Sequence, residues 1–126
     1  ADATGVETIP YSTCDGNPYA SVALLQDHEI DLVLLWSTVV ESASYTMAEA
    51  HAAGVPVLTG RASGNIAASV ACGDVLGRVL ENEDALREFL LDAATVDSLV
   101  AEGARQPLQV MHHESFLSRL LVEDCP

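Results

Sequence analysis

"DLVLLWSTVVESASYTMAEAHAAGVPVLTG", residues Asp31 to Gly60, decides the fold. Asp31 to Trp36 is a continuous apolar run bounded by an acid and a serine. It lacks the alternation of a half-solvated strand and suits a strand covered on both faces, as in a parallel sheet. Val55 to Gly60 is a second short run of the same kind. The alanine-rich stretch between them reads as a helix, and Gly54 stands where a left-handed residue ends one. Strand, helix and strand within about thirty residues make a βαβ unit. Asp31–Trp36 and Val55–Thr59 are therefore expected as adjacent parallel strands.

Outward from this unit the pattern continues. Tyr19 to Ile30 sets Val22, Leu24 and Leu25 against Gln26, Asp27 and His28, a helix of about three turns. Before it, Gly5 to Tyr11 is a short β-leaning run, and Asp15-Gly16 and Asn17-Pro18 break any regular element. Downstream, "RASGNIAAS" reads as a loop and a helix start, and "GRVL" (Gly77 to Leu80) as a last strand. Glu81 to Ala93 opens an amphipathic helix with Leu86, Phe89, Leu90 and Ala93 on one face and Asp84, Arg87 and Asp92 opposite. Val96 to Gln106 continues helical, and His113 to Asp124 is a final amphipathic helix past a break near Pro107. The expectation is one α/β domain over residues 1–126 with three or four parallel strands. With so small a sheet, and a first residue Ala1 in place of an initiator Met, the chain is expected to be an excised or processed fragment of a larger domain.

Composition narrows the function classes. With 49% hydrophobic residues the chain is expected to fold. Nineteen acids face five arginines and no lysine, a formal net charge of −14. That balance repels phosphate backbones and anionic membranes, which disfavours a nucleic-acid or lipid-surface partner. No run of about 18 apolar residues appears, nor a basic stretch leading into an apolar one, so neither a transmembrane segment nor a signal peptide is expected. Cys14, Cys72 and Cys125 are an odd number without a C-x-x-C pair, which reads as neither a zinc nor a disulfide framework. Cys72 is expected in the core, and a cytoplasmic, reducing location fits most simply.

Glu41 and Glu49, eight positions apart, admit two readings. In the first, Thr46 and Glu49 form a T-x-x-E capping box and Glu41 is a solvated loop residue. In the second they belong to a ligand site. Ligands of open α/β sheets bind outside the carboxyl ends of the strands, where Ser37 to Tyr45 would lie. Amides from Ala43 to Thr46 would there hold a diphosphate with the help of the helix dipole. A carboxylate beside such a site repels phosphate but accepts hydrogen bonds from vicinal hydroxyls, as on a ribose or hexose. Spacing alone favours the capping box.

Other candidates read as structure. His112-His113-Glu114 lacks a third metal ligand at a suitable spacing. His51 reads as surface, Arg61 as a solvated loop residue, and Trp36 as core filling ahead of base stacking. Ser37, Ser44 and Ser63 sit in no G-x-S-x-G elbow.

Taken together, E-x7-E at Glu41 and Glu49, S-Y-T at Ser44 to Thr46, A-A-G at Ala52 to Gly54 and P-V at Pro56-Val57 resemble the nucleotide-sugar site of retaining GT-B glycosyltransferases of the family-4 type. The polysaccharide-synthesis branch is the nearest match, and the resemblance runs over about residues 18 to 122. It favours a site over the capping box. It implies a Rossmann-like, three-layer α/β/α fold, as part of a GT-B C-terminal domain. It also implies transfer of a hexosyl group from a nucleoside-diphosphate sugar to a glycan or other acceptor, without a metal or other cofactor. Glu41 would touch the donor sugar hydroxyls, amides near Ala43, Ser44 and Tyr45 the sugar and diphosphate, and Glu49 the ribose. The chain departs from the family's P-S at Trp36-Ser37, from its W-P at Val39-Val40, and from a usual glutamate at Ala68. The upstream half-domain and the acceptor domain would be the other partners, and without them the fragment is expected to be inactive. From another class, a non-enzymatic Rossmann-like module would bind a protein or self-associate through an open sheet edge.

Overall fold

The computed structural model of the chain describes residues 5–12 and 19–105. These hold helices α1 (Ala20–Asp27), α2 (Tyr45–Ala52), α3 (Asn65–Cys72), α4 (Glu83–Leu91) and α5 (Ala93–Arg105). Interleaved with them are strands β1 (Val33–Leu35), β2 (Val57–Gly60) and β3 (Gly77–Leu80). The sheet order is β1-β2-β3 and both pairings are parallel, with Val33 opposite Val57 and Leu58 opposite Arg78. The expected βαβ unit is present, and the sheet has three strands among the described residues.

Alternation along the strands builds two cores. Val57 faces Met47 and Ala50 of α2, Ile66 and Val70 of α3, and Val75, with Val33, Leu35 and Val79 packed around them. The intervening Leu58 faces the other way, onto Phe89 of α4 and Leu99 of α5, joined by Leu32, Leu80 and Val96. Successive strand side chains point to opposite faces, so one apolar run seeds both cores and gives an α/β/α arrangement. Met47, Val57 and Leu99 are wholly buried. Each such side chain contributes about 1.5–3 kcal/mol over an exposed one.

Helix α2 ends as expected. Gly54, at φ 74°, donates its amide to the His51 carbonyl, and Val55 donates to Ala50. These are the paired bonds of a helix stop with glycine in the left-handed region.

Four expectations need correction. Gly5 to Tyr11 forms no strand, and Val6 and Tyr11 are exposed. The single amphipathic face drawn through Leu86, Phe89, Leu90 and Ala93 is also wrong. Asp92 ends α4 and accepts hydrogen bonds from the Thr95 amide and hydroxyl at 3.3 and 2.7 Å, so α5 starts in a new direction. Phe89 is buried and Leu86 half-buried, Leu90 and Ala93 are exposed, and Leu99 completes the core instead.

The third and fourth corrections concern Cys72, which is half-buried rather than in the core and is disulfide-bonded. An odd cysteine count leaves one thiol over but does not forbid one pair. Cys14 and Cys125 lie outside the described residues, as do the His112-His113-Glu114 stretch and the expected final helix. A disulfide ordinarily persists in oxidising surroundings, so the thiols lend the expected reducing location no support. Among the described residues no helix is long and apolar enough to cross a membrane.

Candidate functional site

Two loops leave the carboxyl ends of the sheet: residues 36–44 from β1 to α2, and residues 61–64 from β2 to α3. Past the strand ends the two segments meet again at one parallel bridge, Glu41 with Gly64. The Asn65 amide donates to the Glu41 carbonyl at 2.8 Å, and the Asn65 side-chain amide donates to the Ser42 carbonyl at 3.1 Å. The Ser37 amide donates to the hydroxyl of fully buried Ser63 at 3.3 Å. These bonds join the loops into one floor and fix where α2 begins.

Glu41 is half-buried, and its carboxylate accepts a hydrogen bond from the Ser37 hydroxyl at 3.2 Å. It is a held group rather than a solvated loop residue. Glu49 lies in the second turn of α2 and is also half-buried.

The Thr46–Glu49 capping box does not form. The residue before α2 is Ser44, extended at φ −132° and ψ 110°, and its hydroxyl accepts from the Met47 amide at 3.2 Å. The box would need a carboxylate or amide side chain at the third helical position, where Met47 is buried in the core. Ser44 therefore spends its side chain on the helix. Ala43, Tyr45 and Thr46 are exposed around the helix start. The amide of Thr46, second in the helix, has no intrahelical acceptor.

The structure thus places Glu41, Ala43, Ser44, Tyr45 and Thr46 around the first turn of α2, with Glu49 one turn further on. Such a surface offers a carboxylate for hydroxyl groups beside a helix N-terminus for an anion. Ser37, Ser63, Gly64 and Asn65 build its floor; sequence reading puts Ser37 in the loop at the strand ends but gives Ser63, Gly64 and Asn65 no part in it. Their signal was small polar residues just past two neighbouring buried strands.

The remaining candidates are placed as follows. Arg61 is exposed and pairs with exposed Glu81 at 2.7 Å, a contact that adds little stability. Trp36 is half-buried, with its indole against Gly60, where a Cβ would come within 3.1 Å of the ring. It borders an open hollow of about 490 Å³ walled by Leu34, Leu86 and Leu90. His51 is half-buried in the last turn of α2 and Ala68 is exposed on α3. Among the described residues no three His, Cys, Asp or Glu side chains gather to hold a metal.

No model of a known protein family, no curated protein and no solved structure matches the chain.

Proposed function

We propose that the chain is the nucleotide-sugar-binding part of a retaining glycosyltransferase of the GT-B type. The observation that carries this reading is the held Glu41 carboxylate at the carboxyl edge of a parallel sheet, immediately ahead of the N-terminus of α2. In this reading the donor diphosphate lies against the amides at Ala43 to Thr46. Sugar hydroxyls donate to Glu41, and the ribose hydroxyls donate to Glu49. As the glycosidic bond breaks, negative charge grows on the leaving diphosphate, and fixed helix amides stabilise it without reorganising. Glu41 and Glu49 position the donor and attack nothing. Transfer itself would also need a domain that binds the acceptor.

Isothermal titration of the purified chain with UDP-glucose and, separately, GDP-mannose tests the reading. Saturable heat with at least one donor, weakened by Glu49→Gln, is the expected result. No heat with these or other common nucleoside-diphosphate sugars overturns it.

A second reading, a module that associates with itself, is favoured by one observation. Strand β1 lies at a sheet edge with Leu34 51% exposed beside exposed Leu90 and Leu91. Sedimentation over a range of concentrations decides it: a dimer that Leu34→Glu abolishes supports this reading, and a monomer throughout removes it.

A further inference from the structure

We propose that Ser37 is a positioning residue that holds the Glu41 carboxylate in its ligand-accepting orientation; this rests on the reading of Glu41 as the sugar-hydroxyl acceptor. Ser37 is the second residue after β1 and is gripped from two sides. Its amide donates to the hydroxyl of Ser63, a fully buried residue of the β2–α3 loop. Its own hydroxyl accepts from the Val39 amide at 3.3 Å. With the oxygen located by both contacts, the single hydroxyl hydrogen has two acceptors in reach: the Val39 carbonyl at 2.8 Å and the Glu41 carboxylate at 3.2 Å.

A hydroxyl can serve one of these at a time. The carbonyl is nearer, while the carboxylate is charged and makes the stronger kind of bond. Donation to Glu41 occupies one carboxylate oxygen and limits rotation of a side chain that otherwise keeps several rotamers. The other oxygen is left for a donor hydroxyl. Because Ser63 and Gly64 belong to the neighbouring loop, the position of this carboxylate is tied to the β1–β2 register rather than to its own loop alone.

The test combines binding with a measurement that needs no ligand. Titration with UDP-glucose, GDP-mannose and UDP alone compares the wild-type chain with Ser37→Ala and Ser37→Thr. Ser37→Ala is expected to weaken nucleotide-sugar binding about tenfold. UDP, which lacks the hexosyl group that would meet Glu41, keeps its affinity, and Ser37→Thr, which keeps a hydroxyl, recovers most of the loss. In parallel, urea midpoints of wild type, Ser37→Ala, Glu41→Ala and the double variant are expected to be non-additive, as for side chains in contact. Additive midpoints, or equal nucleotide-sugar affinity in wild type and Ser37→Ala, overturn the role of Ser37 while leaving the donor site standing. Coupled midpoints in a chain that binds no nucleotide sugar overturn the site itself, and the positioning role falls with it.

Discussion

Gly64 rests directly on the backbone of Glu41: a Cβ built on Gly64 would stand 2.7 Å from the Glu41 carbonyl oxygen and 2.8 Å from its amide nitrogen. Gly64 also has φ 64°, where L side chains are strained. Both penalties strike the point at which the two loops of the candidate site join.

Gly64→Ala is accordingly expected to cost about 2–4 kcal/mol, from left-handed strain and overpacking together. Urea melts measure it. A midpoint within error of wild type would show that the loops part without consequence.

The start of α2 makes a separate prediction. Ser44→Ala removes the side-chain acceptor of the Met47 amide and is expected to lower stability by about 1 kcal/mol. Thr46→Ala, at an exposed helical position, should change it by less than about 0.5 kcal/mol. The opposite ranking would restore Thr46 as the cap.

For the donor, Glu49→Gln keeps the shape and loses the charge of a group proposed to accept two ribose hydroxyls. Its effect is expected at about 1.5–3 kcal/mol, roughly a ten- to 150-fold rise in donor dissociation constant. In a full-length enzyme Glu41→Gln acts mainly on turnover, because contacts to the migrating sugar change most on the way to the transition state. An unchanged donor constant in Glu49→Gln would leave Glu49 a half-buried helix residue and nothing more.

Asp92 predicts a pH dependence. The Thr95 hydroxyl, then the Thr95 amide, hold its carboxyl below the usual 3.8. A carboxylate with a lowered folded-state pKa stabilises the protein above its unfolded pKa, and the contribution is lost as pH falls through the folded value. Asp92→Ala should therefore melt below wild type at neutral pH, with the gap closing as pH falls through and below the usual carboxylate range. A gap independent of pH would assign the effect to something other than ionisation.

The Cys72 disulfide makes the last prediction. Either remaining cysteine, Cys14 or Cys125, would close a loop of more than about fifty residues, for which the chain-entropy model gives about 4 kcal/mol. Dithiothreitol and Cys72→Ser should lower the melting temperature alike. Alkylation of the unreduced, unfolded chain should modify one of its three cysteines. Three modified thiols would remove the bond.

The sequence by itself determined the elements whose cause is local. The apolar runs that became β1 and β2 read as covered strands because they lack polar alternation, and GRVL reads as a last strand; β2 is buried throughout, whereas Leu34 of edge strand β1 is exposed. Gly54 marked the end of α2 because a left-handed stop asks for a residue without Cβ. Spacing points to Thr46 and Glu49 as the capping pair of α2, whereas Ser44 caps the helix. The choice follows from the bonds of Asn65 to the Glu41 and Ser42 carbonyls, which set where the chain turns into the helix. Likewise Ser37 and Ser63, 26 positions apart, meet only because β1 and β2 pair in parallel and in that register. The bond at Cys72 likewise does not show in the apolar period of its helix, and the break at Asp92, though closed by local bonds to Thr95 three residues on, escapes a reading by apolar period alone. Dihedral preference and burial period act along the chain and can be read from it, whereas a hydrogen bond between loops exists only once the sheet register has brought its two ends together.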